Sequence, residues 1–207
     1  MGLNTQCKVS DAEPAEMFYK DFDNNGSVDP ILCFSIQHKS YPYVTRDELL
    51  EQMSIMRTRF THYKSYANTT LKDIFSVEEM KDVKHLKAND LSTAYFEGGT
   101  DGKFHKMALP IQAQFSPVFT INTIDYDKDG KLDLLLCGNI NQARIRFGKY
   151  DANYGILLKG DGKGHFNYIS QQQSGFHILG DVRSVLNINN TLLFGINQQP
   201  VKAYQPR

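Results

Sequence analysis

The chain lacks a net charge. Its 207 residues carry 23 Lys and Arg against 23 Asp and Glu, and the two signs are interspersed. With no basic stripe, nucleic-acid binding has none of the phosphate-neutralising electrostatics on which it depends. Long apolar runs are missing too, and none approaches the roughly 20 residues of a membrane-spanning helix. The opening Met1-Gly-Leu-Asn-Thr-Gln6 has neither the charged nor the apolar region of a secretion signal. Export would therefore need a signal in an upstream segment. Cysteine is scarce and odd in number, with Cys7, Cys33 and Cys137. That count argues against a disulfide framework. Cys33 and Cys137 fall in apolar runs and read as buried thiols packing as small hydrophobes; pairing of Cys7 with a partner chain is the alternative for that residue.

Catalytic signatures are likewise missing. The six histidines, His38, His62, His85, His105, His165 and His177, have no metal-ligand spacing. There is no G-x-S-x-G elbow, no H-E-x-x-H and no P-loop, and nothing pairs a Cys with a His as nucleophile and base. The sequence therefore reads as non-catalytic.

What the chain does have is a nine-residue acidic loop, twice. The first copy is Asp21-Phe-Asp23-Asn-Asn25-Gly26-Ser27-Val-Asp29 and the second is Asp125-Tyr-Asp127-Lys-Asp129-Gly130-Lys131-Leu-Asp133. Both read D-x-D-x-(D/N)-G-x-x-D and both run into an apolar strand. Oxygen ligands at alternating positions, with Gly at the sharp bend, suit a hard cation such as calcium. The side-chain ligands would be Asp21, Asp23, Asn25 and Asp29 in one loop and Asp125, Asp127, Asp129 and Asp133 in the other. Ser27 and Lys131 would offer backbone carbonyls. An EF-hand would need a bidentate Glu at position twelve and flanking helices. Position twelve here is Leu32 or Leu136, so the calcium-sensor reading is rejected. The bland alternative is a pair of polar hairpin turns, which two copies with identical spacing disfavour. The expected affinity is roughly 10⁻⁴ to 10⁻³ M, as in extracellular modules.

The loops belong to a longer repeat. Asp21 to Asp125 spans 125 − 21 = 104 residues, as does Asp29 to Asp133, and Cys33 and Cys137 each follow the last Asp by four. A glycine-turn hairpin also recurs, in Tyr95-Phe-Glu-Gly-Gly-Thr-Asp101-Gly102-Lys-Phe104 and in Leu157-Leu-Lys-Gly160-Asp161-Gly162-Lys-Gly164-His-Phe166. The expected fold is mainly β with a helical insertion, built from antiparallel four-stranded propeller-type blades, two complete and most of a third. Residues 1–17 read as an N-terminal strand or linker and 18–110 as a first blade with an insertion over 45–90. Residues 111–179 read as a second blade and 180–207 as a partial third, in which an Asn-rich turn replaces the metal loop.

The D-x-D-x-D-G-x-x-D loop followed by an L-L-x-G-D-G-x-G-x-F hairpin resembles the FG-GAP/VCBS repeat of integrin-α-like β-propellers. The stretch from Gly148 to Gly164 is similar to a segment of large secreted VCBS-repeat proteins of Bacteroidetes. The resemblance implies propeller blades, two calcium ions held by the eight loop side chains named above, and a place outside the cytoplasm: secreted, periplasmic or at the cell surface. It implies no catalytic residue. Because propellers close with four to eight blades, the expectation is a piece of a longer protein, with closure by self-association through open sheet edges or sheets packed as a non-propeller sandwich as the alternatives.

The insertion has a different texture. Thr45-Arg-Asp-Glu48 is a capping box, and Leu49, Leu50, Met53, Met56 and Phe60 follow helical spacing, predicting a helix over about 46 to 64. Short helices are expected over 70–75 and, after the capping box Ser76-Val-Glu-Glu79, over 77–82. An insertion of this size is expected to project from one face of the blade. Its Tyr41, Tyr43, Phe60, Tyr63 and Tyr66, with Met53 and Met56, suit an interface with an extracellular protein or glycan; alternatively they pack the helices onto the sheet.

Overall fold

The computed structural model describes residues 2–205. They form thirteen strands in four antiparallel sheets with a few short helices, so the protein is mainly β with a helical insertion. The described sheets do not close into a barrel or a propeller. The chain divides into two compact units, Gln6–Leu91 and Met1–Thr5 with Ser92–Arg207.

In the first unit, β1 (Ala15–Lys20), β2 (Asp29–Ile36), β3 (Lys39–Pro42) and β4 (Lys84–Ala88) form a sheet of order β3-β2-β1-β4. The β2–β3 connection is a two-residue turn in which Gln37 and His38 both have positive φ, 49° and 65°. Tight hairpins demand such dihedrals and usually recruit Asn or Gly for them, so β3 has no local turn signal ahead of it. The strand paired with the far side of β1 is β4, which follows the insertion. The sequence reading makes the Tyr95–Phe104 hairpin the last two strands of this sheet. That hairpin instead forms a separate two-stranded sheet, β5 (Ala94–Gly98) and β6 (Phe104–Ala108), in the second unit. The first blade as expected, with its boundary at residue 110, is thereby corrected.

The insertion does not project. α1 (Arg46–Gln52), a 3-10 turn over Ser54–Arg57, α2 (Tyr63–Tyr66) and α3 (Leu71–Ile74) lay their apolar faces on the sheet. Leu49, Met53, Met56 and Ile74 are almost wholly buried with Ile31 and Cys33 of β2. Each such side chain contributes about 1.5–3 kcal/mol of burial. The Thr45–Glu48 box forms as expected, and Thr70 and Asp73 make another. The long helix stops at Met53, whose extended backbone lets its side chain reach the core. Residues 77–82 form turns in place of the expected helix, although the side chain of Glu79 caps Ser76 N–H at 2.8 Å.

In the second unit, β7 (Val118–Ile124), β8 (Asp133–Gly138), β9 (Ile156–Gly160) and β10 (Phe166–Ile169) form a four-stranded antiparallel meander of order β10-β9-β8-β7. Central strands β8 and β9 are buried on both faces. Leu135, Cys137 and Leu157 meet one cluster, and Leu136, Ile156 and Leu158 meet another, which accounts for their unbroken apolar run. α4 (Gln171–Ser174) leads to β11 (Val182–Ile188), β12 (Thr191–Ile196) and β13 (Lys202–Tyr204), a three-stranded sheet joined at an Asn189–Asn190 turn with φ of 48° and 63°. The β5–β6 hairpin meets β10 through an edge-on contact of Tyr95 with Phe166 at 5.7 Å.

The 104-residue repeat persists in strand register. Lys20 pairs with Asp29 and Glu16 with Cys33; Ile124 pairs with Asp133 and Thr120 with Cys137. Each partner is displaced by 104, as in 124 − 20 and 137 − 33.

Candidate metal centre

Each acidic loop bridges two paired strands, β1 to β2 and β7 to β8. Register therefore fixes both ends, and the interior is folded by the loop's own side chains. In the first loop, Asp21 accepts Asn25 N–H at 3.0 Å and Gly26 N–H at 2.8 Å on its two oxygens. In the second, Asp125 accepts Asp129 N–H and Gly130 N–H, both at 3.0 Å. The position-five side chains, Asn25 and Asp129, accept the N–H of Ser27 at 2.8 Å and Lys131 at 2.9 Å. The closing carboxylates, Asp29 and Asp133, accept Phe22 N–H at 3.0 Å and Tyr126 N–H at 2.8 Å. The backbone agrees, with left-handed Asn24 and Lys128 and positive φ at Gly26 and Gly130. The two loops are thus one structure built twice.

This folding gathers carboxylates. Asp21, Asp23 and Asp29 bring oxygens within 4.8 Å of one another, as do Asp125, Asp127 and Asp133. Two clusters of hard oxygen donors that could hold a metal ion are therefore present. Three like charges so close repel unless a proton or cation intervenes. Asp29 is buried, and desolvation pushes its carboxyl above the ordinary range, against hydrogen bonds from Phe22 N–H and Gln52 and with help from the Asp23 and Asp21 charges. Asp133 is fully buried and its second oxygen accepts Gly160 N–H at 2.9 Å. Gly160 is required there, because a Cβ would fall 2.2 Å from the Leu132 carbonyl oxygen.

The position-two aromatics anchor the loops. Phe22 stacks on Phe75, centroids 4.0 Å apart, and Tyr126 donates its hydroxyl to the Gln173 carbonyl at 2.7 Å. Asp129, expected as a fourth carboxylate, stands outside its cluster. It accepts Lys131 N–H and pairs with the ammonium groups of Lys159 at 3.2 Å and Lys131 at 3.4 Å. The Lys131 N–H, followed by Lys159, holds the Asp129 carboxyl below its usual range. Lys159 also pairs with Asp127. Sequence reasoning missed Lys159, because only the β8–β9 pairing, Leu134 opposite Leu158, brings it to the loop.

The aromatic surface does not assemble as expected. Phe60 is a correction: it is buried in the core and packs edge-on to Tyr66 at 5.2 Å. Met53 and Met56 are buried beside it. Tyr66 is half-buried, its hydroxyl on the Val44 carbonyl at 2.8 Å. Tyr41 lies on β3 opposite Phe34, and Tyr43 packs edge-on to Phe34. Tyr63 is 68% exposed, covered on one face by Arg46 and hydrogen-bonded to Asp47 at 2.7 Å. A polar groove of about 610 Å³ lies elsewhere on the first unit, lined by residues including Glu13, Glu16, His38, Ser40 and Lys87. Among the described residues no Phe or Tyr lines it.

No family model matches the chain, and no curated protein or solved structure matches it.

Proposed function

We propose that this chain is a calcium-stabilised repeat protein of the FG-GAP/VCBS kind. It would serve, without catalysis, in binding an extracellular or cell-surface protein or glycan. The observation that carries the proposal is the set of four loop hydrogen bonds shared, position for position, by two acidic loops 104 residues apart. Turns selected only for turning have no reason to share three converging carboxylates and the same register. The donors are all oxygen, which suits calcium, magnesium or manganese over softer metals, and calcium, unlike magnesium, does not demand near-ideal octahedral geometry.

Bound calcium would supply the positive charge that lets each carboxylate trio remain ionised and would couple metal binding to folding. Asp21, Asp23 and Asn25, and Asp125 and Asp127, would hold it from the loop. Asp29 and Asp133, fixed at strand ends, would tie it to the sheet. The non-catalytic reading is supported by the thiols: burial pushes Cys33 and Cys137 up to about 12, so neither is a nucleophile at neutral pH. The exposed Tyr63 and the half-buried Tyr41 and Tyr43 are what remains of the expected binding surface. A role as an accessory domain of a surface polysaccharide-degrading enzyme, or as a purely structural repeat, would use the same metal loops.

The test is thermal melting with calcium chloride and with EDTA, with mass measured by light scattering. A calcium-dependent rise in melting temperature at one defined mass is expected. Identical melting under both conditions would reduce the loops to polar turns.

A further inference from the structure

The two loops differ in the cations around their carboxylates, and one of those cations lies outside the loop sequence. In the second, the ammonium group of Lys159, which arrives from β9, contacts Asp127 and lies 3.2 Å from Asp129. Lys131 adds a second cation at 3.4 Å from Asp129. In the first loop, no Lys, Arg or His of the described residues forms an ion pair with Asp21, Asp23 or Asp29; the nearby Lys20 is turned to the carbonyls of Glu79 and Lys81, at 3.2 and 2.8 Å. By formal charge the first loop's side chains sum to −3. The second loop's own side chains, four carboxylates with Lys128 and Lys131, sum to −4 + 2 = −2, and Lys159 brings the site to −2 + 1 = −1. The loop with more carboxylates is the one whose charge is already partly offset by lysines.

We propose that Lys159 is a resident cation of the second loop that competes with calcium, making the two sites unequal. The first loop depends on calcium for its stability, and the second is held in part by its own lysine. The inference rests on the calcium reading of the loops. An incoming divalent ion must break the Lys159 pair with Asp127 and then tolerate an ammonium group nearby. Both effects weaken binding, and both are moderated by the partial exposure of Lys159, 37%. The expected penalty is about threefold to tenfold in affinity, which is the range of one partly exposed ion pair plus residual repulsion.

The experiment is calorimetric titration of the full chain with calcium chloride, in wild type and in Lys159→Met, Lys159→Arg and Asp127→Ala, with melting of each in EDTA. Lys159→Met should tighten the weaker site by about threefold to tenfold and melt below wild type in EDTA. Lys159→Arg, which keeps the charge, should resemble wild type. Asp127→Ala should abolish the weaker site and so identify it as the second loop. Two calcium sites that ignore Lys159→Met would overturn this inference alone. No calcium uptake by wild type or by Lys159→Met would overturn the inference and the calcium reading together. If Lys159→Met failed to fold in EDTA but folded in calcium, the resident-cation role would be supported directly.

Discussion

Single side chains separate metal-dependent from metal-independent roles. Asp133 is fully buried and both its oxygens accept backbone N–H groups, from Tyr126 and Gly160. Asp133→Ala should cost about 2–4 kcal/mol in EDTA, because it strands two buried donors. Asp127 is exposed, and Asp127→Ala should cost under about 1 kcal/mol in EDTA while removing calcium-dependent stabilisation. Denaturant unfolding of both variants with and without calcium checks the contrast. Arg59 donates to Glu79 at 3.1 Å and to the Ile74 carbonyl at 2.7 Å, and this pairing leads the effects that hold the Glu79 carboxyl at about 2, below its ordinary 4.5. A depressed carboxyl stabilises the fold above its unfolded value and loses that contribution as pH falls through the folded one. About 1–2 kcal/mol, discounted for partial exposure, should therefore fade between roughly pH 4.5 and 2. Arg59→Met should flatten that part of the stability–pH curve. At neutral pH, Cys33 and Cys137 should resist a thiol-specific reagent until the chain is unfolded, because burial keeps them protonated.

At the scale of elements, the strongest test is the β2–β3 turn. Gln37 and His38 occupy positive φ without the residues that favour it. Replacing the pair with Asn-Gly should raise stability by about 0.5–1 kcal/mol, measured by chemical denaturation. Legibility followed the same logic. The acidic loops, the Asn189–Asn190 turn, the β7–β10 meander and two of the capping boxes were readable, because local dihedral and hydrogen-bond demands select particular residues there. β3 was not readable, since a permissive sequence adopts an uncommon turn only when the strands around it are already paired. The break at Met53 was hidden for a related reason: helical periodicity persists through it, and only core packing decides that the backbone extends.

For the whole molecule, the division into Gln6–Leu91 and the remainder places one loop in each unit. In calcium, Asp23→Ala should raise amide hydrogen exchange within residues 6–91, and Asp127→Ala should do so within 92–205, each leaving the other unit near its wild-type rate. Spread of either effect through both units would contradict that division. The second unit also has a buried polar joint. Asn139 accepts from Ser116 at 2.7 Å and Asn153 N–H at 3.0 Å, and donates to the carbonyls of Asn153 at 2.7 Å and Gly180 at 3.1 Å. It thus ties β8 to the chain entering β11.

The sequence by itself determined the β class, the two loops with their 104-residue register, and the carboxylates that converge in each, because alternation, turn chemistry and ligand spacing are local properties of the chain. Only the tertiary structure decided that the insertion is the lid of the first unit's core, that β4 and not the Tyr95 hairpin completes its sheet, and that Lys159 sits against the second loop. Those outcomes depend on which apolar faces find each other and which strands pair. The energies concerned belong to contacts between distant residues, and no local pattern records them.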